Sequence, residues 1–280
     1  MATKSKSSAT RKSMAKKPNS NEKAVTSTVK ITAATSTSAK KSVKRMFNLS
    51  SSRTAFIAAL VAEFIGTFLL ATAYITSQGQ PLYILFALVG IVLFLGTISG
   101  AHVNPAVTIS AWITKKIKIP RAIGYIVAQF LGALLALVIL GVFVGGAEQP
   151  STEAALYGQA APSLFAASDI VAGKEWYLFF SEVIGTLILG FAVASVFSKK
   201  KDKISTAFTI GLGVFIALLI SYTCAAYVGG TAILNPAVAL SLDALVFAPW
   251  PLAIYVAGPI IGGLFGFLLH NLIRVKESVK

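Results

Sequence analysis

Ser99-Gly100-Ala101-His102-Val103-Asn104-Pro105-Ala106 decides how this chain is read, because its last three residues return as Asn235-Pro236-Ala237. The second copy has its own small-residue approach, Gly229-Gly230-Thr231-Ala232. Each triplet is followed by a short apolar run, Val107 to Ile113 and Val238 to Leu242. Proline is favoured in the first turn of a helix, where its missing N–H costs nothing. An asparagine before it is a strong N-cap, since its side chain holds the first free backbone donors. Each triplet therefore reads as a helix start with the Asn at the positive end of the helix dipole. One such triplet is an ordinary cap. Two take their meaning from the chain around them.

That chain is 280 residues long, 55% hydrophobic and only 12% charged, far more apolar than a soluble domain. Between Arg53 and Lys115 the one charged side chain is Glu63, and between Arg121 and Glu148 there is none. Glu182 alone interrupts the stretch from Glu175 to Lys199, and Asp243 alone the stretch from Lys203 to Arg274. A helix needs about 20 apolar residues to cross roughly 30 Å of hydrocarbon. Six spans are expected, near 54–76, 82–100, 121–145, 175–197, 204–224 and 250–272. The single Cys224 lies in a span, so no disulfide framework can form.

The net charge of +15 is unevenly spread. Thirteen of the 25 Lys and Arg lie in residues 1–53. The rest, Lys174 excepted, group at 115–121, 199–203 and 274–280. With six spans these groups fall on one side, which the positive-inside rule makes cytoplasmic, so the chain is expected in the cell membrane with both termini inside. Residues 1–50 are Ser, Thr, Lys and Ala with the one acid Glu22, too polar to bury a core. They read as a disordered basic tail touching anionic lipid, only faintly like a transit peptide. No interleaved aromatics point to nucleic acid. Residues 51–273 form the membrane domain, and 274–280 a short cytoplasmic tail.

The triplets belong to a larger repeat. Ala62-Glu63-Phe64-Ile65-Gly66-Thr67-Phe68-Leu69-Leu70 opens span 1, and Ser181-Glu182-Val183-Ile184-Gly185-Thr186-Leu187-Ile188-Leu189 lies in span 4. Gln129-Phe130-Leu131-Gly132-Ala133 answers Gly258-Pro259-Ile260-Ile261-Gly262-Gly263 more weakly. From Glu63 to Asn104 is 41 residues and from Glu182 to Asn235 is 53, so 12 extra residues are expected in the connections of the second copy. The copies cover about 54–145 and 175–272, three spans each. Three is odd, so the second copy enters the bilayer upside down, an inverted repeat. The 11 residues from Asn104 to Thr114 make about 16 Å of helix, half a membrane. Two half-helices from opposite faces would meet near the midplane, Asn to Asn, an arrangement tolerated where it lines a wet cavity. The fold class expected is all-α and polytopic, six spans plus two re-entrant half-helices.

These residues resemble the major intrinsic protein family, the aquaporins and glycerol facilitators, over roughly 54–273. The carrying motifs are Ala62 to Thr67, Ile98 to Thr108, Asn235-Pro236-Ala237 and Gly258-Pro259. The resemblance implies a right-handed six-span bundle, a pore in each protomer and a homotetramer. It implies pore motifs at Asn104, Pro105, Ala106, Asn235, Pro236 and Ala237, whose asparagines donate to the oxygen of passing water or of a small neutral solute such as glycerol. Opposed helix dipoles there would repel protons and cations. The family's outer constriction maps to Ile84, Thr223, Ala232 and Val238. An arginine usually stands at the position of Val238. A guanidinium would repel cations, offer donors and narrow the pore. Its absence leaves an apolar, wider constriction, and water-versus-glycerol preference open.

Glu63 and Glu182 are carboxylates inside spans, functional candidates by default. As a proton relay they would make the chain a proton-coupled secondary transporter. Their symmetric placement, once per repeat, favours bracing the free backbone of the re-entrant loops, with His102 packed in the first loop. His102 could alternatively sense pH. Gly258, Gly262 and Gly266 at four-residue spacing permit close helix approach. Trp112, Trp176 and Trp250 read as interfacial anchors. No phosphate loop and no nucleophile–base pair point to an enzyme. Two His and one Cys leave little for a metal, and no cofactor is expected.

Overall fold

A computed structural model of the chain describes residues 52–197 and 202–274. Both expected tails, 1–50 and 274–280, lie outside these residues apart from Arg274. Among the described residues all regular structure is helical. In chain order the helices are α1 (Ser52–Thr76), α2 (Pro81–Leu95), α3 (Pro105–Ile113), α4 (Ile119–Gly145), α5 (Thr152–Leu156), α6 (Glu175–Phe197), α7 (Lys203–Ala226), α8 (Pro236–Ser241) and α9 (Pro249–Ile273). Five of them, α1, α4, α6, α7 and α9, are long and apolar enough to cross a membrane.

The second expected span needs correction. The sequence places it over 82–100, but α2 stops at Leu95 after 15 residues, about 22 Å of helix. Gly96 to Gly100 continue in tight turns, with Ser99 N–H donating to Leu95 O at 3.1 Å and Gly100 N–H to Gly96 O at 3.0 Å. Glycine and serine are weak helix formers, and Gly100 takes a φ of 96°, open to glycine but costly for other residues. The 12 extra residues of the second copy also sit elsewhere than expected. They lengthen helices rather than loops, since α7 has 24 residues against 15 in α2.

Helix α9 carries its own irregularity. Pro259 lacks an N–H and crowds the carbonyl four residues back, and the helix widens into a π-turn over Ala253–Ala257 just before it.

Small residues set how closely the helices approach. A Cβ on Gly132 of α4 would strike the Phe64 carbonyl of α1, and one on Gly262 of α9 the Val183 carbonyl of α6. Phe64 and Val183 each follow the repeat's glutamate, so Gly132 and Gly262 are true counterparts, which settles the weakest part of the sequence alignment. Gly190 faces the Gly263 carbonyl, and Gly266 the Leu187 carbonyl, along the same α6–α9 seam. The buried apolar core runs through both repeats, from Leu70 and Leu88 to Val214, Val238 and Phe267.

Candidate pore and its re-entrant loops

The two half-helices begin as the caps require. Asn104 is extended and its Oδ1 accepts from Ala106 N–H at 2.8 Å and, at 3.5 Å, from Val107 N–H. Asn235 Oδ1 accepts from Ala237 N–H at 3.1 Å and Val238 N–H at 3.4 Å. Nine residues in α3 and six in α8 give about 13 and 9 Å of helix, too short to span.

The amide nitrogens of the same asparagines reach across. Asn104 Nδ2 donates to Leu234 O at 2.8 Å, and Asn235 Nδ2 donates to Val103 O at 2.8 Å. Leu234 and Val103 are the residues before the opposite asparagines. Each triplet thus closes the loop of the other repeat. One N–H of each amide remains after this bond, and both asparagines border a cavity of about 270 Å³. That cavity is lined at one end by Phe197, Lys203 and Thr206 and at the other by the Asn pair, with Leu88, Val193, Ile210 and Val214 among its apolar walls.

Both loops are held by the intramembrane carboxylates. Glu63, fully buried, accepts from His102 N–H at 2.9 Å and Val103 N–H at 2.7 Å. Glu182, equally buried, accepts from Ile233 N–H at 2.6 Å and Leu234 N–H at 2.9 Å. The two clamped residues occupy the same places relative to the asparagine in each copy. Val103 and Leu234 have positive φ, 41° and 63°, a conformation worth about 1–3 kcal/mol of strain in a non-glycine residue. The carboxylates supply the bonds that hold it. Gly66 and Gly185, one turn beyond each glutamate, leave room for the Val103 and Leu234 side chains.

Around Glu63 the first repeat adds a polar cluster that the second lacks. Gln129 Nε2 bonds Glu63 Oε2 at 2.7 Å and Thr108 Oγ1 at 3.0 Å. His102 Nδ1 lies 3.2 Å from Thr108 Oγ1, and its ring stands edge-on to Tyr125 and Phe197. Gln129 was visible in the sequence as an amide within a charge-free span, the kind of residue that marks a site, though its partner was not. Two hydroxyls have no such signal, Tyr125 to Ser99 O at 2.7 Å and Tyr74 to Ile233 O at 3.1 Å, and Tyr255, the aromatic three residues before Gly258, bonds Thr231 O at 3.2 Å.

The four residues expected at the outer constriction are not brought together around the cavity, and none of them lines it. Ile84 and Val238 are wholly buried and Ala232 nearly so. Thr223 is exposed and its hydroxyl bonds Leu219 O within α7. On α7 the buried positions at that level are Ser221 and Ala225. Over the same end lies the segment 157–174. It is pinned by Ala167 N–H to Leu242 O at 2.8 Å and Ser168 N–H to Thr231 Oγ1 at 2.9 Å, with Phe165 beside Gly79 and Val171 beside Gly229.

A sequence model of the major intrinsic protein family matches residues 50–270, most of the chain and all of this geometry. The chain belongs to the major intrinsic protein family. Aquaporin NIP3-1 of Arabidopsis thaliana is 29% identical over 238 residues, covering 80% of this chain and 69% of the relative. Aquaporin AqpM of Methanothermobacter marburgensis is 30% identical over 247 residues, covering 75% of this chain and 95% of the relative. The crystal structure of the aquaglyceroporin from Plasmodium falciparum superposes with a TM-score of 0.60 at 22% identity, covering 78% of this chain and 96% of that one. The fold of this major intrinsic protein is therefore that of the aquaporins.

Proposed function

We propose that the chain is a passive channel for water, with small uncharged solutes such as glycerol as the further candidates. The observation that carries this is the reciprocal closure of Asn104 on Leu234 O and Asn235 on Val103 O at the head of a 270 Å³ cavity. It leaves two amide donors at mid-membrane beside mostly apolar walls. A solute oxygen can accept there, while a cation meets two amide donors at that point. Pro105, Ala106, Pro236 and Ala237 start the half-helices that aim those donors. Ile84, Ala232 and Val238 are packed into the buried apolar core, and neither they nor Thr223 border the cavity. Neither carboxylate is free to cycle a proton, because both oxygens of each accept backbone N–H bonds. This disfavours the coupled-transporter reading.

In this reading the protein is a homotetramer in the cell membrane with both termini cytoplasmic. Lys203 then marks the cytoplasmic mouth and the segment 157–174 the outer face. The test is stopped-flow light scattering on proteoliposomes, comparing shrinkage in sucrose with re-swelling in glycerol. Water flux well above that of empty vesicles is expected. No flux from correctly folded protein would overturn the proposal.

A further inference from the structure

We propose that Tyr74, and not the residue after the second Asn-Pro-Ala, sets the size limit of the pore. This rests on the channel reading above. Tyr74 lies on α1 one turn beyond Leu70, and both border the cavity beside Ile233 and Asn235. It is a hydroxyl-bearing side chain that borders the cavity together with both asparagines. Its phenol is only 2% exposed and donates to Ile233 O at 3.1 Å. The Ile233 peptide cannot drift, because its N–H is held by Glu182 at 2.6 Å. Two residues on, Asn235 is tied to Val103 O. The ring is therefore anchored at both ends, by its Cα on a helix of the first repeat and by its oxygen on the loop of the second. It borders the cavity beside the asparagines.

Such a bridge discriminates by size. A water molecule can replace the O–H···O bond with two of its own, donating to Ile233 O and accepting from the phenol, so the exchange is nearly neutral. A three-carbon polyol must push the whole ring aside and break the bond without an equivalent replacement. The residues that would otherwise narrow the pore do not reach the cavity, and Val238 brings no donor. Tyr255 provides the contrast. It is equally buried and bonds Thr231 O of the same loop, but it does not border the cavity.

The test compares glycerol and water permeability in proteoliposomes for the wild type, Tyr74→Ala, Tyr74→Phe and Tyr255→Phe. Tyr74→Ala is expected to raise the glycerol-to-water ratio about tenfold or more. Tyr74→Phe, which keeps the ring but frees it, should raise the ratio less, and Tyr255→Phe should leave it unchanged. An unchanged ratio in folded Tyr74→Ala with water flux intact overturns the assignment of Tyr74 while leaving the channel. Absence of flux in both wild type and Tyr74→Ala overturns both. Should the alanine variant not fold, Tyr74→Cys in a Cys224→Ser background decides. A small methanethiosulfonate reagent blocks its water flux if residue 74 faces the path, and undiminished flux after complete labelling overturns the proposal.

Discussion

Replacing Glu182 by glutamine tests the most economical device in the molecule, a carboxylate whose two oxygens each take one backbone N–H of the second re-entrant loop. An amide of the same shape offers one acceptor and one NH₂. It can satisfy Ile233 or Leu234 but not both, and its NH₂ faces the other N–H donor to donor. The lost charge-assisted bond and the orphaned donor together cost about 3–5 kcal/mol. Part of this is offset, because a neutral amide escapes the desolvation that a wholly buried carboxylate suffers. The net expectation is a loss of about 2 kcal/mol, or roughly 4–8 °C in the thermal midpoint. The assay is thermal unfolding in detergent followed by size-exclusion recovery, alongside water flux in proteoliposomes. Glu182→Asp should be no better, since the shorter arm cannot reach both donors. An unchanged midpoint with normal flux would refute the reasoning, for it would mean that the loop holds its shape without a carboxylate. An unchanged midpoint with lost proton-dependent transport would restore the relay.

Further outcomes follow from the same geometry. Gly262→Ala drives a methyl into the Val183 carbonyl and should destabilise by about 1–3 kcal/mol; Gly141→Ala, where nothing lies within 4 Å, should be neutral or slightly stabilising in the same unfolding assay. Asn104→Ala and Asn235→Ala each remove a cap and an inter-repeat bond, about 1–3 kcal/mol apiece. Because each asparagine bonds the residue preceding the other, a double-mutant cycle on the unfolding free energies should give a coupling of about 0.5 kcal/mol or more. Val238→Arg puts a guanidinium at a wholly buried position. The expected result is a collapse in folded yield, measured by fluorescence size exclusion, rather than a tidy gain of selectivity.

The paired triplets, the duplicated Glu-x-x-Gly segment and the odd number of spans carried the fold, because each reports a demand that lipid makes on the backbone. The carboxylates could be assigned to the loops for the same reason: a buried glutamate and a loop with free N–H groups need one another. Constriction residues were less legible. Ile84 and Thr223 lie on helices, where one position rotates a side chain by about 100°, and Thr223 is exposed without bordering the cavity. Lengths fared similarly. A hydropathy window cannot see that α2 gives way to turns at Gly96, nor that α7 absorbs most of the surplus residues of the second copy. Tyr74 is silent in the sequence because a tyrosine near the end of an apolar span is usually an interfacial anchor. Only the carbonyl opposite it reveals a different employment.

The exchange of side chains between Asn104 and Asn235 also has a consequence in time. The acceptor of Asn104 is 130 positions further along the chain, and at about 5–20 residues per second the ribosome needs on the order of ten seconds to deliver it. Throughout that interval the first re-entrant segment, clamped by Glu63 on one side, carries a Val103 carbonyl and an Asn104 amide without partners. A bare carbonyl and amide in hydrocarbon cost several kcal/mol. The first half of this chain therefore cannot finish folding when it is made. It waits half-closed in the membrane for the second half to arrive upside down and complete it.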